Sequence, residues 1–329
     1  MSYKHLNLEE RYYIQVELKK GSSQNQIATS LGRSQSCISR ELKRNTIKKR
    51  YSHTKAHKQA KIRLCCSPKH TKLTKSMLII IDKYIKKDWS PEQISGRLKI
   101  DKTLNLHHET IYQYIKKDKE KGGSLYTHLR HQKRRYKKRF NFKRNPSKIP
   151  NRRDIDERPE VVNNRERVGD WEADTIIGKD QQGAIVTLDE RKSKLRLAYP
   201  LLSKKSIHTC GAITLLLGAI KAFVKTITFD NGTEFTQHET VAENLSCETY
   251  FAKPYHSWER GQNENANGLL RQYFPKKTTL TNIKVEKVIQ AVDKLNSRPR
   301  KCLNYKTPYE VFEELTGVNM QKIWLCTYD

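Results

Sequence analysis

Three acidic residues lie where a fold of strands and helices could bring them together. Asp174 lies in a predicted strand at 171–178, Asp230 ends a short apolar strand, and Glu264 opens a late helix. Strand ends and the start of such a helix can converge at one edge of a mixed sheet. Three carboxylates held there would repel one another unless a cation lay between them. The residue types therefore predict a cation site.

Magnesium is the cation that suits these residues best. Mg²⁺ takes oxygen ligands and keeps water or phosphate in its remaining positions. Two ions, roughly 4 Å apart, can activate an attacking oxygen and stabilise a leaving one in an in-line displacement. We therefore predict two Mg²⁺ ions, with Mn²⁺ as a substitute, held by Asp174, Asp230 and Glu264.

Other acids in the same motifs compete for these roles. Asp170 and Glu172 alternate with Asp174 along one face of the strand, so either could be taken for the first ligand. Asp174 is the nearest of the three to the carboxyl end of the strand, which favours it. Glu234 is interpreted as a turn residue and Glu259 as an exposed loop acid.

The elements around these acids alternate in a way that predicts a mixed α/β sheet. Strands are predicted at 171–178, 184–190, 194–201 and 248–252, and a further short strand ends at residue 230. Helices are predicted at 206–223, 237–245, 285–295 and 307–315, and another begins at about residue 263. The chain is thus expected to be multidomain, with an all-α region first, then the α/β domain and a small helical tail.

The N-terminal segment has the pattern of a helix-turn-helix. Helices are predicted at Leu8–Lys20 and Gln24–Ser30, followed by a third helix with Ser34 as its N-cap. Ala28, Gly32 and Ile38 have the spacing of the motif, although an ordinary three-helix bundle is the alternative. The candidate DNA contacts are Arg33, Ser34, Gln35, Ser36, Ser39, Arg40, Lys43 and Arg44, whose polar and basic side chains suit base edges and phosphates.

The charge of the chain indicates a polyanionic partner. The formal net charge is +30, with 65 Lys and Arg against 35 Asp and Glu. Residues 51–75 are predicted to form a basic connecting helix, and 90–117 either a second helix-turn-helix or a helical hairpin. Residues 130–153 contain twelve Lys or Arg and no acid, which predicts a linker that lies along phosphates.

The sequence offers little for a membrane. The longest apolar stretch, 212–224, is interrupted by Lys221 and is too short to span a bilayer. Seven scattered cysteines without CxxC pairs are typical of a reducing compartment. We therefore expect no membrane partner and a cytoplasmic location.

Three motifs together resemble those of one family. They are "GDWEADTIIG", "TFDNGTEF" and "YFAKPYHSWERGQNENANGLLRQYFPK", with thirty-three residues between Asp230 and Glu264. Their order, spacing and flanks resemble DDE transposases of the insertion sequence thirty family, which have a ribonuclease-H-like catalytic fold. The likeness extends over nearly the whole chain, although Asp170 replaces the uncharged residue or histidine usual in that family.

The resemblance implies an activity and a set of partners. It implies a DNA transposase that binds the terminal inverted repeats of its element and catalyses Mg²⁺-dependent strand cleavage and strand transfer. Arg271, seven residues after Glu264 on the same helix face, would then hold a DNA phosphate. The partners are double-stranded DNA, as element ends and target, and further copies in a homodimer or larger assembly. The alternative is a DNA-binding transcriptional regulator with an inactive nuclease-like domain.

The predicted domains follow the changes in composition. They are a helix-turn-helix domain at 1–50, a connecting helix and second helical motif at 51–129, a basic linker at 130–160, a ribonuclease-H-like catalytic domain at 161–282 and a helical C-terminal region at 283–329.

Overall fold

The computed structural model describes residues 5–47, 50–66, 73–130, 149–253 and 261–326. The chain divides into two compact units, Met1–Thr74 and Lys75–Asp329. The boundary lies inside the predicted segment 51–129, because the helices after residue 75 pack on the mixed-sheet domain. None of the helices in the ranges described is long and apolar enough to cross a membrane.

The first unit contains four helices and a two-stranded ribbon. They are α1 (Leu8–Lys20), α2 (Gln24–Ser30), α3 (Gln35–Asn45), β1 (Thr46–Ile47), β2 (Arg50–Tyr51) and α4 (His53–Cys66). The first two helices have the predicted bounds. Each begins with a capping box, in which the N-cap side chain and a residue three positions later satisfy each other's backbone N–H groups.

The helix-turn-helix core is formed by the residues whose spacing predicted it. Ile27, Ala28 and Ile38 are buried together, and Gly32 makes the turn with φ of 61°, where a glycine carries no steric cost. Ser34 occupies the N-cap position, as predicted, and its hydroxyl lies 3.1 Å from the Ser36 hydroxyl instead of bonding a first-turn N–H.

The second unit begins with three helices, α5 (Lys75–Lys86), α6 (Pro91–Ile100) and α7 (His108–Glu120). Ser90 caps α6 and Pro91 is its first residue, as predicted. Residues 101–107 form the lengthened connection to α7, and the Ser95 hydroxyl donates to Leu106 O at 2.5 Å. DNA binding by this helical group stays a prediction.

A five-stranded mixed sheet forms the centre of the second unit. After α8 (Glu160–Asn163), its strands are β3 (Asp170–Ile177), β4 (Ala184–Glu190), β5 (Arg196–Leu201), β6 (Thr226–Phe229) and β7 (Glu248–Phe251). The spatial order is β5-β4-β3-β6-β7, antiparallel from β3 to β5 and parallel from β3 to β7. This is the ribonuclease-H-like fold class predicted from the sequence.

Helices cover both faces of the sheet. They are α9 (Ser206–Gly218), α10 (His238–Leu245), α11 (Gly261–Leu270), α12 (Val285–Asn296), α13 (Pro308–Thr316) and α14 (Met320–Cys326). Asp174 of β3 contacts α11, whereas its neighbour Thr175 points to the opposite face.

Two predicted bounds differ from the structure. The helix predicted at 206–223 is shorter, because a 3-10 turn at Lys221–Phe223 replaces its last turn. Strand β5 begins two residues late, because Lys194 has a left-handed φ of 63°.

Asp88 joins the helical group to the sheet domain. Its side chain is 13% exposed and accepts hydrogen bonds from His128 Nδ1 at 2.8 Å and Tyr273 Oη at 2.9 Å. Lys294 and Arg298 each lie 3.7 Å away. Burial alone would raise the pKa of Asp88, but these hydrogen bonds and charges outweigh it and hold the pKa below its usual value.

Asp88→Asn is expected to destabilise the second unit by about 1.5–3 kcal/mol at pH 7, because a charged hydrogen-bond acceptor becomes neutral. Because its folded-state pKa is lowered, Asp88 stabilises above the unfolded pKa of about 3.9 and loses this effect as the pH falls through the folded value. The difference from wild type should therefore shrink below about pH 4.

Urea unfolding followed by tryptophan fluorescence measures this difference. All four tryptophans, Trp89, Trp171, Trp258 and Trp324, lie in the second unit, so the signal reports on it alone. Asp101→Asn is the control, because Asp101 forms a surface pair with Arg97 and should change stability by about 0.5 kcal/mol or less. A loss in Asp88→Asn that is the same at pH 7 and pH 3 would contradict this account.

Candidate active site and DNA-binding helix

The register of two parallel strands brings Asp174 and Asp230 to neighbouring positions. Residues 170–172 of β3 lie opposite residues 226–228 of β6, each pair 56 positions apart. The same offset, continued past the end of β6, takes Asp174 to Asp230. Adjacent strands lie about 4.8 Å apart. The offset therefore predicts that two of the three proposed ligands occupy neighbouring positions.

A tight turn after β6 holds the carboxylate of Asp230. Gly232 N donates to Asp230 Oδ1 at 3.0 Å, and Asn231 Nδ2 donates to Ala252 O at 2.7 Å. A Cβ on Gly232 would lie 2.5 Å from a carboxylate oxygen of Glu234 and 2.9 Å from Asp230 Oδ1. A side chain at this position would therefore displace the two carboxylates that approach the glycine backbone.

Two competing acids on β3 have structural partners. Asp170 is fully buried, forms an ion pair with Arg167 at 3.1 Å and accepts a hydrogen bond from Thr226 Oγ1 at 2.8 Å. Glu172 is 1% exposed and forms a buried ion pair with Arg191. Both acids therefore form ion pairs with arginine inside the fold.

Glu234 is more than the turn residue predicted from the sequence. It lies in the 3-10 turn Thr233–Phe235, but it is only 4% exposed. Its Oε1 accepts a hydrogen bond from Thr175 Oγ1 at 2.7 Å and lies 3.4 Å from Lys204 Nζ. Glu234 therefore links the Asp230 turn to the residue after Asp174. The sequence signal was weak, since an acid after Asn-Gly is common in exposed turns.

Glu264 lies in the first turn of α11 and is exposed. Asn267, one turn further along the same face, donates from Nδ2 to Asp174 Oδ2 at 2.7 Å. The helix that carries Glu264 therefore lies against β3 at Asp174. Within the ranges described, no group of three or more His, Cys, Asp or Glu side chains is arranged to hold a metal ion. Glu259 lies outside the described residues.

The start of α11 is held by the turn between β4 and β5. Gln262 Nε2 donates to Glu190 O at 3.1 Å, and Lys194 Nζ donates to Gln262 Oε1 at 2.7 Å. Burial lowers the pKa of Lys194 to about 8, and repulsion from Arg165 contributes to the shift. The position of Glu264 thus depends on contacts with a distant hairpin.

Arg271, predicted to hold a phosphate, has contacts inside the domain. Its Nη2 donates to Ile177 O at 2.7 Å and its Nη1 to Phe274 O at 3.5 Å. Burial lowers the pKa of its guanidinium. The side chain thus ties α11 to the end of β3, and its contact with DNA stays a prediction.

Most of the predicted DNA-contact residues lie on the accessible side of α3. Ser34, Gln35, Ser36, Arg40, Lys43 and Arg44 are exposed, and Arg33 and Ser39 are half-buried. Arg33 donates to Glu10 Oε1 at 2.9 Å, which ties the turn to α1. Arg40 Nε donates to Ser36 O at 2.9 Å, so its guanidinium lies along its own helix. A contiguous polar and basic face is therefore available on α3.

Comparisons with known proteins agree with both regions. A helix-turn-helix domain model matches residues 2–45. The transposase for insertion sequence element IS4351 of Bacteroides fragilis is 43% identical over 318 residues, covering 96% of this chain and 98% of that protein. Transposase InsI for insertion sequence element IS30A of Escherichia coli (strain K12) is 36% identical, covering 94% and 83% respectively.

A third relative and a solved structure extend the comparison. The transposase for insertion sequence element IS1086 of Cupriavidus metallidurans is 33% identical over 326 residues, covering 95% of each chain. The catalytic core domain of BIV integrase aligns with 45% of this chain and 95% of its own at 23% identity and a TM-score of 0.35.

A helix-turn-helix unit followed by a mixed-sheet domain, with full-length likeness to these relatives, defines a DNA transposase that binds DNA and transfers polynucleotide strands. The chain belongs to the IS30 family of insertion-sequence transposases.

Arg40→Ala is expected to weaken binding to the element's terminal repeat by about 1–3 kcal/mol if Arg40 contacts a base edge. A band-shift titration on repeat DNA and on random DNA of equal length measures the effect. Lys19→Ala, which removes a charge from the exposed end of α1, is the control and should bind as wild type. An equal loss on both DNAs would show that Arg40 contacts only phosphate.

Proposed function

We propose that this transposase binds the terminal inverted repeats of its own insertion sequence, cleaves the element's ends to free 3′ hydroxyls, and joins those hydroxyls to target DNA. The residues proposed to carry the chemistry are Asp174, Asp230 and Glu264, a DDE-type set. The observation that supports this most strongly is the β3–β6 register, which gives Asp174 and Asp230 neighbouring positions.

The donor set fits divalent metal ions. All three side chains offer carboxylate oxygens, the ligands that Mg²⁺ prefers, and Mn²⁺ accepts the same donors. The adjacent acids Asp170 and Glu172 form ion pairs with arginines inside the fold. We assign Asp174 and Asp230 to metal because the β3–β6 offset, continued past the end of β6, takes one to the other.

The chain's own residues supply position. Thr175 N donates to Asp174 Oδ1 at 2.9 Å, and Gly232 N donates to Asp230 Oδ1 at 3.0 Å, so each carboxylate is oriented before DNA arrives. When bound, divalent ions polarise the scissile phosphate and activate water or a 3′ hydroxyl as the nucleophile. Cleavage and joining are then the same phosphoryl transfer with different nucleophiles.

DNA binding is assigned to separate parts of the chain. The polar face of α3 recognises the terminal repeat, and the basic segment 130–160 and Arg271 follow phosphates. Because two ends must be cut and joined to one target, the active form is proposed to be a homodimer or a larger assembly on DNA.

Asp174→Asn, Asp230→Asn and Glu264→Gln are each expected to abolish cleavage and joining, because each keeps the side-chain shape and removes a negative ligand. Binding to the terminal repeat should stay near wild type, since the helix-turn-helix lies in the other unit. The measurement is cleavage and strand transfer on labelled end DNA with Mg²⁺ or Mn²⁺, beside a band shift on the same DNA.

Control variants at other acids show whether the loss of activity is specific to the three proposed metal ligands. Glu243→Gln, on the exposed side of α10, should keep full activity. Glu172→Gln breaks a buried ion pair and should lower stability by about 3–5 kcal/mol, while its folded fraction still cleaves. If Asp170→Asn is inactive and Asp174→Asn is active, the first ligand is misassigned. If all three variants of the set still join ends, the chain acts by another mechanism. If the wild-type protein binds the terminal repeat but neither cleaves nor joins ends, it is the DNA-binding regulator that the sequence left open.

Replacing the six Lys and Arg of 133–139 by glutamine tests the basic segment. These residues lie outside the described ranges. Affinity falls as salt rises, and the plot of log affinity against log salt should become less steep by about 0.9 for each DNA phosphate that the variant no longer neutralises. Exchanging Lys for Arg and Arg for Lys at the same six positions is the control and should leave the slope unchanged. An unchanged slope in the glutamine variant would show that the segment does not touch DNA.

A further inference from the structure

A buried ion pair at the β4–β5 hairpin extends a contact toward the candidate site. Arg196 and Asp189 each have side chains 3% exposed. Arg196 Nε and Nη2 donate to the two carboxylate oxygens of Asp189 at 2.8 and 2.5 Å. The backbone of Arg196 is held by Asn296 of α12, which accepts from its N at 3.0 Å and donates to its O at 2.7 Å. Hydrogen bonds therefore hold both the backbone and the guanidinium group of Arg196.

The remaining donors of Arg196 bind α11. Nη1 donates to Ala266 O at 2.7 Å, and Nη2 donates to Asn267 Oδ1 at 3.0 Å. Thr187 Oγ1 of β4 donates to the same Asn267 oxygen at 3.3 Å. The guanidinium of Arg196 thus connects the β4–β5 hairpin to α11, the helix that carries Glu264.

These contacts determine which way the Asn267 amide points. Arginine only donates, so the atom of Asn267 facing Arg196 must be its oxygen. The amide nitrogen is then directed at Asp174 Oδ2, a carboxylate that only accepts, 2.7 Å away. The orientation follows from the partners on both sides.

We propose that Asn267 and Arg196 are positioning residues for the catalytic carboxylate Asp174. Asn267 holds Asp174 Oδ2, and Arg196 holds Asn267 and the α11 backbone at the turn after Glu264. The inference rests on the proposed metal-binding role of Asp174. A carboxylate oxygen can accept from more than one partner, so the hydrogen bonds from Thr175 N and Asn267 Nδ2 orient the carboxylate without consuming it.

A purely structural role for Arg196 would leave the binding of metal ions unchanged in a folded variant. A positioning role would weaken the binding of metal ions, because losing a hydrogen bond to a metal-binding side chain typically lowers metal affinity about 10- to 100-fold. Asn267→Ala removes the donor to Asp174. Arg196→Lys keeps the charge beside Asp189, but an ammonium group cannot serve Asp189, Ala266 and Asn267 in the fork geometry of a guanidinium.

Binding of Mn²⁺ to the full-length protein, followed by the electron paramagnetic resonance signal of free Mn²⁺, tests the proposal directly. Asn267→Ala and Arg196→Lys should each weaken Mn²⁺ binding by about tenfold or more. Asn265→Ala is the matched control, because Asn265 lies on the same helix, is exposed, and contacts Arg130 at 3.4 Å. It should bind Mn²⁺ as wild type.

Asn267→Asp provides a test that does not depend on the stability of the other variants. It keeps the size of the side chain and the pairing with Arg196, and it places a second carboxylate against Asp174. One of the two then retains a proton to higher pH, so the pH midpoint of Mn²⁺ binding should rise. If Asn267 had no part in positioning Asp174, the pH midpoint of Mn²⁺ binding to Asn267→Asp would equal that of the wild type.

The outcomes separate this inference from the proposed function. If Asp174→Asn loses Mn²⁺ binding while Asn267→Ala and Asn267→Asp match wild type in affinity and pH midpoint, the positioning role is wrong and the metal site stands. If Asp174→Asn itself binds Mn²⁺ as wild type, the proposed metal site is wrong. Loss of Mn²⁺ binding in both groups, with the midpoint raised in Asn267→Asp, supports the positioning role.

Discussion

The structure of the candidate site depends on the backbone pairing of two parallel strands. The offset between β3 and β6, continued past the end of β6, takes Asp174 to Asp230, where the two carboxylates would repel each other. Backbone hydrogen bonds and the buried residues of both strands, such as Trp171 and Phe229, supply the opposing free energy. A slip of one residue would turn Asp174 to the other face, so the register determines whether the site exists.

Charge is distributed around this edge in a consistent way. In a chain with a net charge of +30, three acids inside the sheet are paired with arginines: Asp170 with Arg167, Glu172 with Arg191 and Asp189 with Arg196. Breaking such buried pairs costs far more than breaking surface pairs. The acids that we propose for metal are Asp174, Asp230 and Glu264, and Glu264 is exposed in the first turn of α11.

Local patterns explain what the sequence predicted correctly. The caps and bounds of α1 and α2, the turn at Gly32 and the strands of the mixed sheet all follow from neighbouring residues. The burial of Glu234 and the link from Asn296 through Arg196 to Asn267 could not be predicted, because they join residues 59 to 100 positions apart. The same holds for the packing of the helical group on the sheet, where Asp88 meets Tyr273 across 185 positions.

Localised backbone cleavage measures whether Asp174, Asp230 and Glu264, as we propose, surround the bound divalent metal. Fe²⁺ in place of Mg²⁺, with ascorbate and peroxide, produces radicals that cut the chain next to the bound ion. The account predicts cuts near residues 174, 230 and 264 in the same molecule population, suppressed by excess Mg²⁺ and absent in Asp230→Asn. Cuts elsewhere, or an unchanged pattern in Asp230→Asn, would contradict it.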